Sequence, residues 1–350
     1  MPRRPAVPTT VLPRTTREVR LVARPDGLPA PGHFTVAHTP LPEPGPGRVL
    51  VRNEHFLVFP GLRTLIGGET DGLPLPLLQP GDALFGPAVG EVLAAPADGP
   101  LRPGDRVVHL AGWRDHAVVP ATEVSPLDPA LPTAVAHLAQ GSAAYGALTR
   151  LAPVRTGDVV LVTGAAGAVG TLAGQIARLL GAARVLGSTG SHHKADRLVR
   201  ELGYDDVLLR GPEHPPFADR LRATAPDGID VVLDTVGGEQ LTAALAVARQ
   251  GARVAVVGTL AGQMAPERGG DTAPVEIDTF RLVVRGLSLR GYAGTDHPEV
   301  QAEWRERFGG WLRSGAIRFP YSTVDGIDGA VRALPELIAG RHFGAVVVRL

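Results

Sequence analysis

The sequence predicts an α/β protein of two units, a β-rich domain and a doubly wound parallel-sheet domain inserted into it. Three observations carry this. Residues 158–170 read DVVLVTGAAGAVG, an apolar β-branched run followed by glycines at positions 164, 167 and 170. The next stretch places Leu172, Ile176, Leu179 and Leu180 at helical spacing, so the whole reads strand, glycine turn, helix. From there strand-like and helix-like runs alternate, the pattern of a parallel sheet. Upstream, over roughly a hundred residues, short strand-like runs are cut by Pro- and Gly-rich turns such as LPEPGPG, which suits a compact β domain.

In order, strands are expected at residues 18–23, 33–39, 48–54, 88–94, 106–110 and 116–119. Residues 126–151 are rich in Ala and Leu and read as one or two helices interrupted at Gly141. The strand at 159–162 follows. Later strands are expected at 184–187, 206–209, 229–233 and 253–258, with helices at 194–202, 218–225 and 240–249. Residues 282–292 alternate Leu or Val with Arg or Ser and read as an edge strand. After Pro298 an amphipathic helix carries Val300, Trp304, Phe308, Trp311 and Leu312 on one face. A helix at 327–339 and a strand at 345–350 close the chain. The expected division is a β domain over 1–125, a nucleotide-binding domain over 126–297 and a return to the β domain over 298–350. Residues 1–17, basic and Pro-rich, read as a disordered arm with no apolar signal segment.

The composition excludes several classes of function. The 350 residues carry a formal net charge of zero, which implies neither a nucleic-acid nor an anionic-membrane partner. There is no cysteine, hence no disulfide, no thiolate zinc site and no cysteine nucleophile. No apolar run approaches the roughly 20 residues of a membrane helix. The adjacent His192 and His193 point to different helix faces, with no carboxylate at ligand spacing, and His109, His116 and His137 read as structural or unassignable, so no metal site is expected.

A glycine turn between strand and helix lets backbone N–H groups approach a pyrophosphate at a helix N-terminus. The second strand usually ends in a carboxylate that binds the ribose of NAD. Here it runs into Ser188, Gly190, Ser191 and Lys194, with no carboxylate, and Lys194 is the only lysine in the chain. Hydroxyls and a cation suit a 2′-phosphate, so NADP is the expected cofactor, with Arg210 at the end of the next strand beside Lys194. Asp234, ending a central strand, either assists the cofactor or caps the turn before Gly237 and Gly238.

The motifs VTGAAGAVG, ELGYDDV, LDTVGGEQL, GARVAVVGT, LRGY and HFGAVVV, in this order, resemble the medium-chain dehydrogenase/reductase superfamily. With RPDGLPAPGHFTV and GWRDHAVVP near the start, the chain is most similar to its zinc-independent prostaglandin/leukotriene reductases, or alkenal double-bond reductases. The resemblance implies a GroES-like β domain with an inserted Rossmann domain. It implies NADPH-dependent reduction of the C=C bond of α,β-unsaturated ketones and aldehydes, in a cytoplasmic homodimer paired through the edge at 282–292. It places the pyrophosphate at Gly167, Ala168, Val169 and Gly170 and the 2′-phosphate at Lys194 and Arg210. Thr235 falls on the adenosine or ribose side. Gly258, Thr259, Leu260, Tyr292, Ala293 and Gly294 fall on the nicotinamide side, and His342 stands where the family commonly has asparagine. The family segment V-D-P-Y-M-R appears here as Val58-Phe59-Pro60-Gly61-Leu62-Arg63, without its tyrosine and aspartate. Phe59, Arg63 and Gln263 are the expected substrate-pocket residues. Tyr145 is a candidate donor to the substrate carbonyl, against its reading as a core aromatic; Gln263, a cofactor hydroxyl and water are the others. Arg63 is set to meet an anionic substrate group or to be solvated. A quinone reductase, a biosynthetic reductase of an iminium or enone with cyclisation, and an NADPH-binding protein without turnover remain as alternatives.

Overall fold

A computed structural model describes residues 12–67, 75–267 and 270–350. Residues 1–11 of the expected arm lie outside these; Thr15, Thr16 and Arg17, also assigned to the arm, are instead in the first strand.

The β domain is built from β1 (Thr15–Leu21), β2 (Phe34–Pro40), β3 (Arg48–Val58), β4 (Ala88–Ala94), β5 (Arg106–His109), β6 (His116–Pro120) and β7 (Ser125–Pro126), with helix α1 (Leu62–Gly67) after β3. Helix α2 (Gly141–Gly146) leads into the nucleotide-binding unit. There β8 (Val159–Val162), α3 (Gly170–Leu179), β9 (Arg184–Thr189), α4 (His192–Leu202) and β10 (Asp206–Leu209) follow one another. Then come α5 (Phe217–Thr224), β11 (Ile229–Asp234), α6 (Gly238–Val247), β12 (Ala248–Val256), α7 (Leu260–Gln263), α8 (Thr279–Val284) and β13 (Ser288–Gly291). The chain ends with α9 (Pro298–Ser314), β14 (Tyr321–Asp325), α10 (Gly326–Ile338) and β15 (Ala345–Arg349).

The strands form a two-stranded sheet β1-β2, a six-stranded sheet in the order β10-β9-β8-β11-β12-β13 and a seven-stranded sheet β14-β15-β3-β4-β5-β7 with β6 paired to β3. Every pair in the six-stranded sheet is parallel. Its central strands are apolar on both faces because helices cover both. Leu172 and Ile176 of α3 pack on one face, and Leu221, Leu241 and Leu245 of α5 and α6 on the other. The β domain closes around Phe56, Leu62, Ile66 and Trp113, with Ile327 and Leu334 of α10 packed against them.

Three segments differ from expectation. Residues 282–292 are not one edge strand. Asp278 caps α8 by accepting the Arg281 N–H, Gly286 turns the chain at φ +56°, and only Ser288–Gly291 joins the sheet edge. Alternating Leu/Val and Arg fitted a strand, but the local cap decides for a helix. Gly141 begins a helix rather than interrupting one. A Cβ there would sit 2.2 Å from the Trp304 ring, so the glycine is a packing requirement. Helix α9, expected to return to the β domain, instead packs Val300, Trp304 and Phe308 into the cluster around Leu148, Leu172 and Ile176. Trp304 and Phe308 stack at 4.4 Å. The chain rejoins the β-domain sheet at β14.

One buried pair in the β domain carries a pH dependence. His109 Nδ1 accepts the Ala111 N–H at 3.0 Å, so its proton is on Nε2, 2.9 Å from Asn53 Oδ1. Asn53 Nδ2 in turn donates to the carbonyls of Ala111 and Arg114. Burial, helped by nearby Arg114, pushes His109 from 6.5 to about 4. The unfolded chain therefore takes up a proton between these values while the folded one does not. This contribution is complete above pH 6.5 and is lost as pH falls toward 4, an effect of about 3 kcal/mol. Urea unfolding across that range should show a steeper acid loss in the wild type than in His109→Gln. Equal slopes would refute it.

Candidate active site

The order of the six-stranded sheet reverses between β8 and β11, and the turns beyond the carboxyl ends of these strands face the β domain, where ligands of such sheets bind. The glycine turn of residues 164–170 lies there. Gly164 has φ +61°, and a Cβ on it would meet Thr235 Oγ1 at 2.5 Å. A Cβ on Gly170 would lie 2.5 Å from the Gly164 carbonyl oxygen and 2.6 Å from Ala165 Cα. These two glycines let α3 start directly over the end of β8. Gly167 is different. It is exposed, and a Cβ on it would reach only the Gly164 oxygen, at 3.4 Å, so its outer side is open to a ligand. Ala168 and Val169 are half-buried at the start of α3. The loop before β15 clamps the turn: Gly344 N–H donates to Ala166 O at 2.9 Å, and Gly167 bridges to Gly344.

The structure brings Lys194 and Arg210 together at the next turn. The Arg210 guanidinium lies over Gly190, 3.1 Å from where a Cβ would stand, and approaches Gly340. Lys194 Nζ donates to the Gly340 carbonyl. Neither cation has a carboxylate within ion-pair distance among the described residues. Burial first, and the Arg210 charge second, lower the Lys194 pKa. Two adjacent cations without a counter-ion fit a multivalent anion. His342 borders them, its Nε2 3.4 Å from Glu336 Oε2.

Both serines hold the local fold. Ser188 Oγ is buried, accepts the Gly164 N–H at 3.0 Å and donates to Gln240 Oε1. Ser191 is the N-cap of α4 and accepts the Lys194 N–H. Asp234 caps its turn: Oδ2 accepts the Gly237 N–H at 2.8 Å and Oδ1 the Thr163 hydroxyl at 2.6 Å. Burial raises the pKa of Asp234 against these hydrogen bonds. Thr235 beside it donates its hydroxyl to Thr163 O at 2.8 Å. Gly258 runs so close that a Cβ would meet Thr235 O at 2.9 Å, and the exposed Thr259 and half-buried Leu260 continue into α7. These stand at the carboxyl ends of β11 and β12.

The tyrosines are placed away from a donor role. The Tyr145 hydroxyl donates to Glu303 Oε2 at 3.3 Å, and its ring meets Trp304 and Trp311 in the helical layer. Burial and Glu303 raise its pKa. The core reading of this residue therefore replaces the catalytic one. Tyr292 stacks on His297 and buries its hydroxyl against Gly146, so its ring belongs to the same layer, with Ala293 and Gly294 exposed after it. Tyr204 donates to Gly170 O at 2.7 Å inside the core.

On the β-domain side, the Phe59 ring covers the glycines at 61 and 86, within 3.0 and 3.2 Å of where their Cβ atoms would stand. Arg63 is neither solvated nor on the pocket surface: it is 1% exposed, with its Cγ under Gly270. Burial lowers its pKa while Asp271 opposes this. Thr64, which no sequence pattern marked, donates to Gly270 O at 2.8 Å, and Gln263 Nε2 lies 3.5 Å from its hydroxyl. Thr64 and Gln263 thus meet where the two domains face each other. Among the described residues no three His, Asp or Glu side chains converge on a metal position, and no helix is long and apolar enough to cross a membrane. A separate recess of about 330 Å³ beside β10, lined by Asp206, Leu208, His214 and Arg220, lies outside this constellation.

Comparison with known proteins matches this geometry. Residues 168–309 match the family model described as zinc-binding dehydrogenase, and residues 17–127 the one described as N-terminal domain of oxidoreductase. The chain is 29% identical to a putative NADP-dependent oxidoreductase, YfmJ, of Bacillus subtilis over 95% of its length and 97% of that protein. It is 28% identical to the NADPH-dependent curcumin reductase of Escherichia coli, over 94% and 95% of the two chains. The crystal structure of CurA from Vibrio vulnificus in complex with NADPH superposes with a TM-score of 0.85 at 25% identity, covering 95% of this chain and 98% of that one. With both domains matched and the glycine turn in place, the chain belongs to the zinc-independent medium-chain dehydrogenases/reductases, the family of the alkenal and prostaglandin reductases.

Proposed function

We propose that the protein is an NADPH-dependent, zinc-independent reductase of an activated C=C bond, acting on an α,β-unsaturated ketone or aldehyde. The observation that carries the cofactor is the cation pair Lys194–Arg210, uncompensated among the described residues, beside an open glycine turn. The relatives named above support the reaction class. NADPH bound there would supply the hydride. The chain's own task is to orient and to exclude water. The turn at Ala168 and Val169 offers backbone N–H groups at a helix N-terminus, while the Gly167 N–H donates to Gly164 O at 3.0 Å. The exposed Thr259 and the close-packed Gly258 form the wall at the ends of β11 and β12. Phe59 closes the opposite side with an apolar ring.

With Tyr145 committed to Glu303, Gln263 is the side-chain donor we assign to the substrate carbonyl oxygen, held toward the β domain by Thr64. Gln263→Ala should lower kcat/KM by up to about 100-fold and leave NADPH affinity within twofold. An unchanged kcat/KM would remove it from the mechanism.

The deciding assay follows NADPH consumption against enals, enones, quinones and cyclic iminium compounds, with products identified by mass spectrometry. Saturated C=C products uphold the reading. Hydroquinones or reduced rings transfer it to the alternatives, and NADPH binding without turnover on the whole panel favours a cofactor-binding protein.

The same reading takes the protein as a cytoplasmic homodimer. Phe280 and Val283 on α8 are 74% and 77% exposed beside the edge strand β13, which has a neighbour on one side only. A second copy would cover both the apolar face and the open edge. Sedimentation should give a dimer for the wild type and a monomer for Val283→Glu; a monomeric wild type would refute the assignment.

A further inference from the structure

One group at the cation pair has no role in the reading above. His342 stands on the loop between α10 and β15, with its side chain 16% exposed. Its Nε2 is enclosed and lies 3.4 Å from Glu336 Oε2 without the alignment of a hydrogen bond. The same loop forms the floor of the cation pair, because Lys194 donates to Gly340 O and Arg210 approaches Gly340. Arg197 of α4 covers the adjacent Phe343 ring at 3.9 Å. The charged groups around the imidazole are therefore Glu336 from α10, Lys194 and Arg197 from α4, Arg341 from its own loop and Arg210 beyond Gly340. Burial is the largest influence holding the imidazole neutral; Lys194 and Arg341 act in the same direction, and Glu336 opposes them.

An anion docking on Lys194 and Arg210 changes this balance, because it adds negative charge beside a ring that already has a carboxylate on its other side. We propose that His342 takes up a proton when a 2′-phosphate binds at Lys194 and Arg210, with Glu336 receiving the Nε2–H. NADPH affinity then rises as pH falls through the histidine range, and NADH affinity does not. This rests on the assignment of the 2′-phosphate to the cation pair.

The test is calorimetric titration with NADPH and with NADH, at about pH 6 to 8 and in two buffers of different protonation enthalpy. The wild type should take up about half a proton or more per NADPH near pH 7, and its NADPH Kd should rise about three- to tenfold per pH unit. His342→Gln should lose this slope, retaining only the opposite effect of the phosphate's own titration near about pH 6. Glu336→Gln should move the uptake to lower pH. A preference for NADPH with the same proton uptake in wild type and His342→Gln overturns the histidine proposal alone. Equal affinity for NADPH and NADH overturns the cation-pair reading and this proposal with it. Absence of NADPH-specific proton uptake in the wild type overturns the proposal without any variant.

Discussion

Lys194→Met and Arg210→Met should each weaken NADPH binding by about 10- to 100-fold and leave NADH binding within about twofold. The size follows from one charge-assisted hydrogen bond to a phosphate, about 1.5–3 kcal/mol, at 1.4 kcal/mol per decade. The selectivity follows from position. Lys194 follows the end of β9 and Arg210 the end of β10, the Arg210 side chain reaching over Gly190, and neither contacts the pyrophosphate turn at Gly167. Stability should move the other way. Lys194 is a partly buried cation whose charged form is disfavoured by burial and by Arg210. Removing it relieves both, so Lys194→Met should melt at the wild-type temperature or slightly above. A residue kept for the fold would give the reverse, a lower melting temperature with the cofactor preference intact. The pair should also be non-additive in the double variant, since each cation raises the cost of holding the other. An unchanged NADPH/NADH ratio in both single variants would remove the cation pair as the 2′-phosphate site and return the cofactor to an open choice.

What the sequence disclosed about this site divides by how local each requirement is. Gly164 and Gly170 were legible because the atoms that demand them belong to the same turn or to its neighbour strand. That Lys194, the only lysine, would come beside Arg210 was legible from the ends of two neighbouring strands. Most of the strand and helix order was legible from periodicity, but the short elements α1, α7 and β14 and the helix α8 were not. The rest depended on partners far along the chain. Tyr145 could be read as donor or core because the carboxylate that takes its hydroxyl, Glu303, is 158 positions away. Ser188 read as a phosphate ligand; its hydroxyl is consumed by Gly164 and by Gln240, 52 residues later. Arg63 and Thr64 gave no sign of lying under Gly270, which folds over them from the other domain. Helix α9 showed its apolar face plainly, but an apolar face does not name the surface it will cover. That assignment came from Gly141, whose missing side chain leaves room for Trp304. Local sterics and charge are written in the sequence near the residue they constrain; long-range pairing is written in two places at once and is read only when the fold joins them.

Gly170→Ala should abolish measurable NADPH binding and also lower the melting temperature, whereas Gly167→Ala should affect binding alone. Gly170 has ordinary helical backbone angles, so alanine would be acceptable there on conformational grounds and would even favour the helix. The obstacle is contact. A Cβ at Gly170 would stand 2.5 Å from Gly164 O, 2.6 Å from Ala165 Cα and 2.7 Å from Ala165 C, all backbone atoms that cannot rotate aside. Relief requires α3 to move about 1 Å from the turn. That helix is held by Leu172 and Ile176, both fully buried, and by the Tyr204 hydroxyl on Gly170 O. Overpacking of this kind costs about 1–3 kcal/mol. The same displacement carries the N–H groups of the helix start away from the position of the pyrophosphate, and the interaction is lost in proportion to geometry rather than to charge. Gly167 provides the control on the same turn. A Cβ there has only the Gly164 oxygen within reach, at an ordinary 3.4 Å, and points to the open side. Its methyl group would meet a bound pyrophosphate, with only that one ordinary contact to the protein. Thermal melts and NADPH titrations of the two variants therefore separate a glycine required by the protein from a glycine required by its ligand. Wild-type NADPH affinity in Gly167→Ala would mean that the pyrophosphate does not cross this turn; wild-type stability in Gly170→Ala would mean that the close approach of α3 to β8 is not a constraint on the fold.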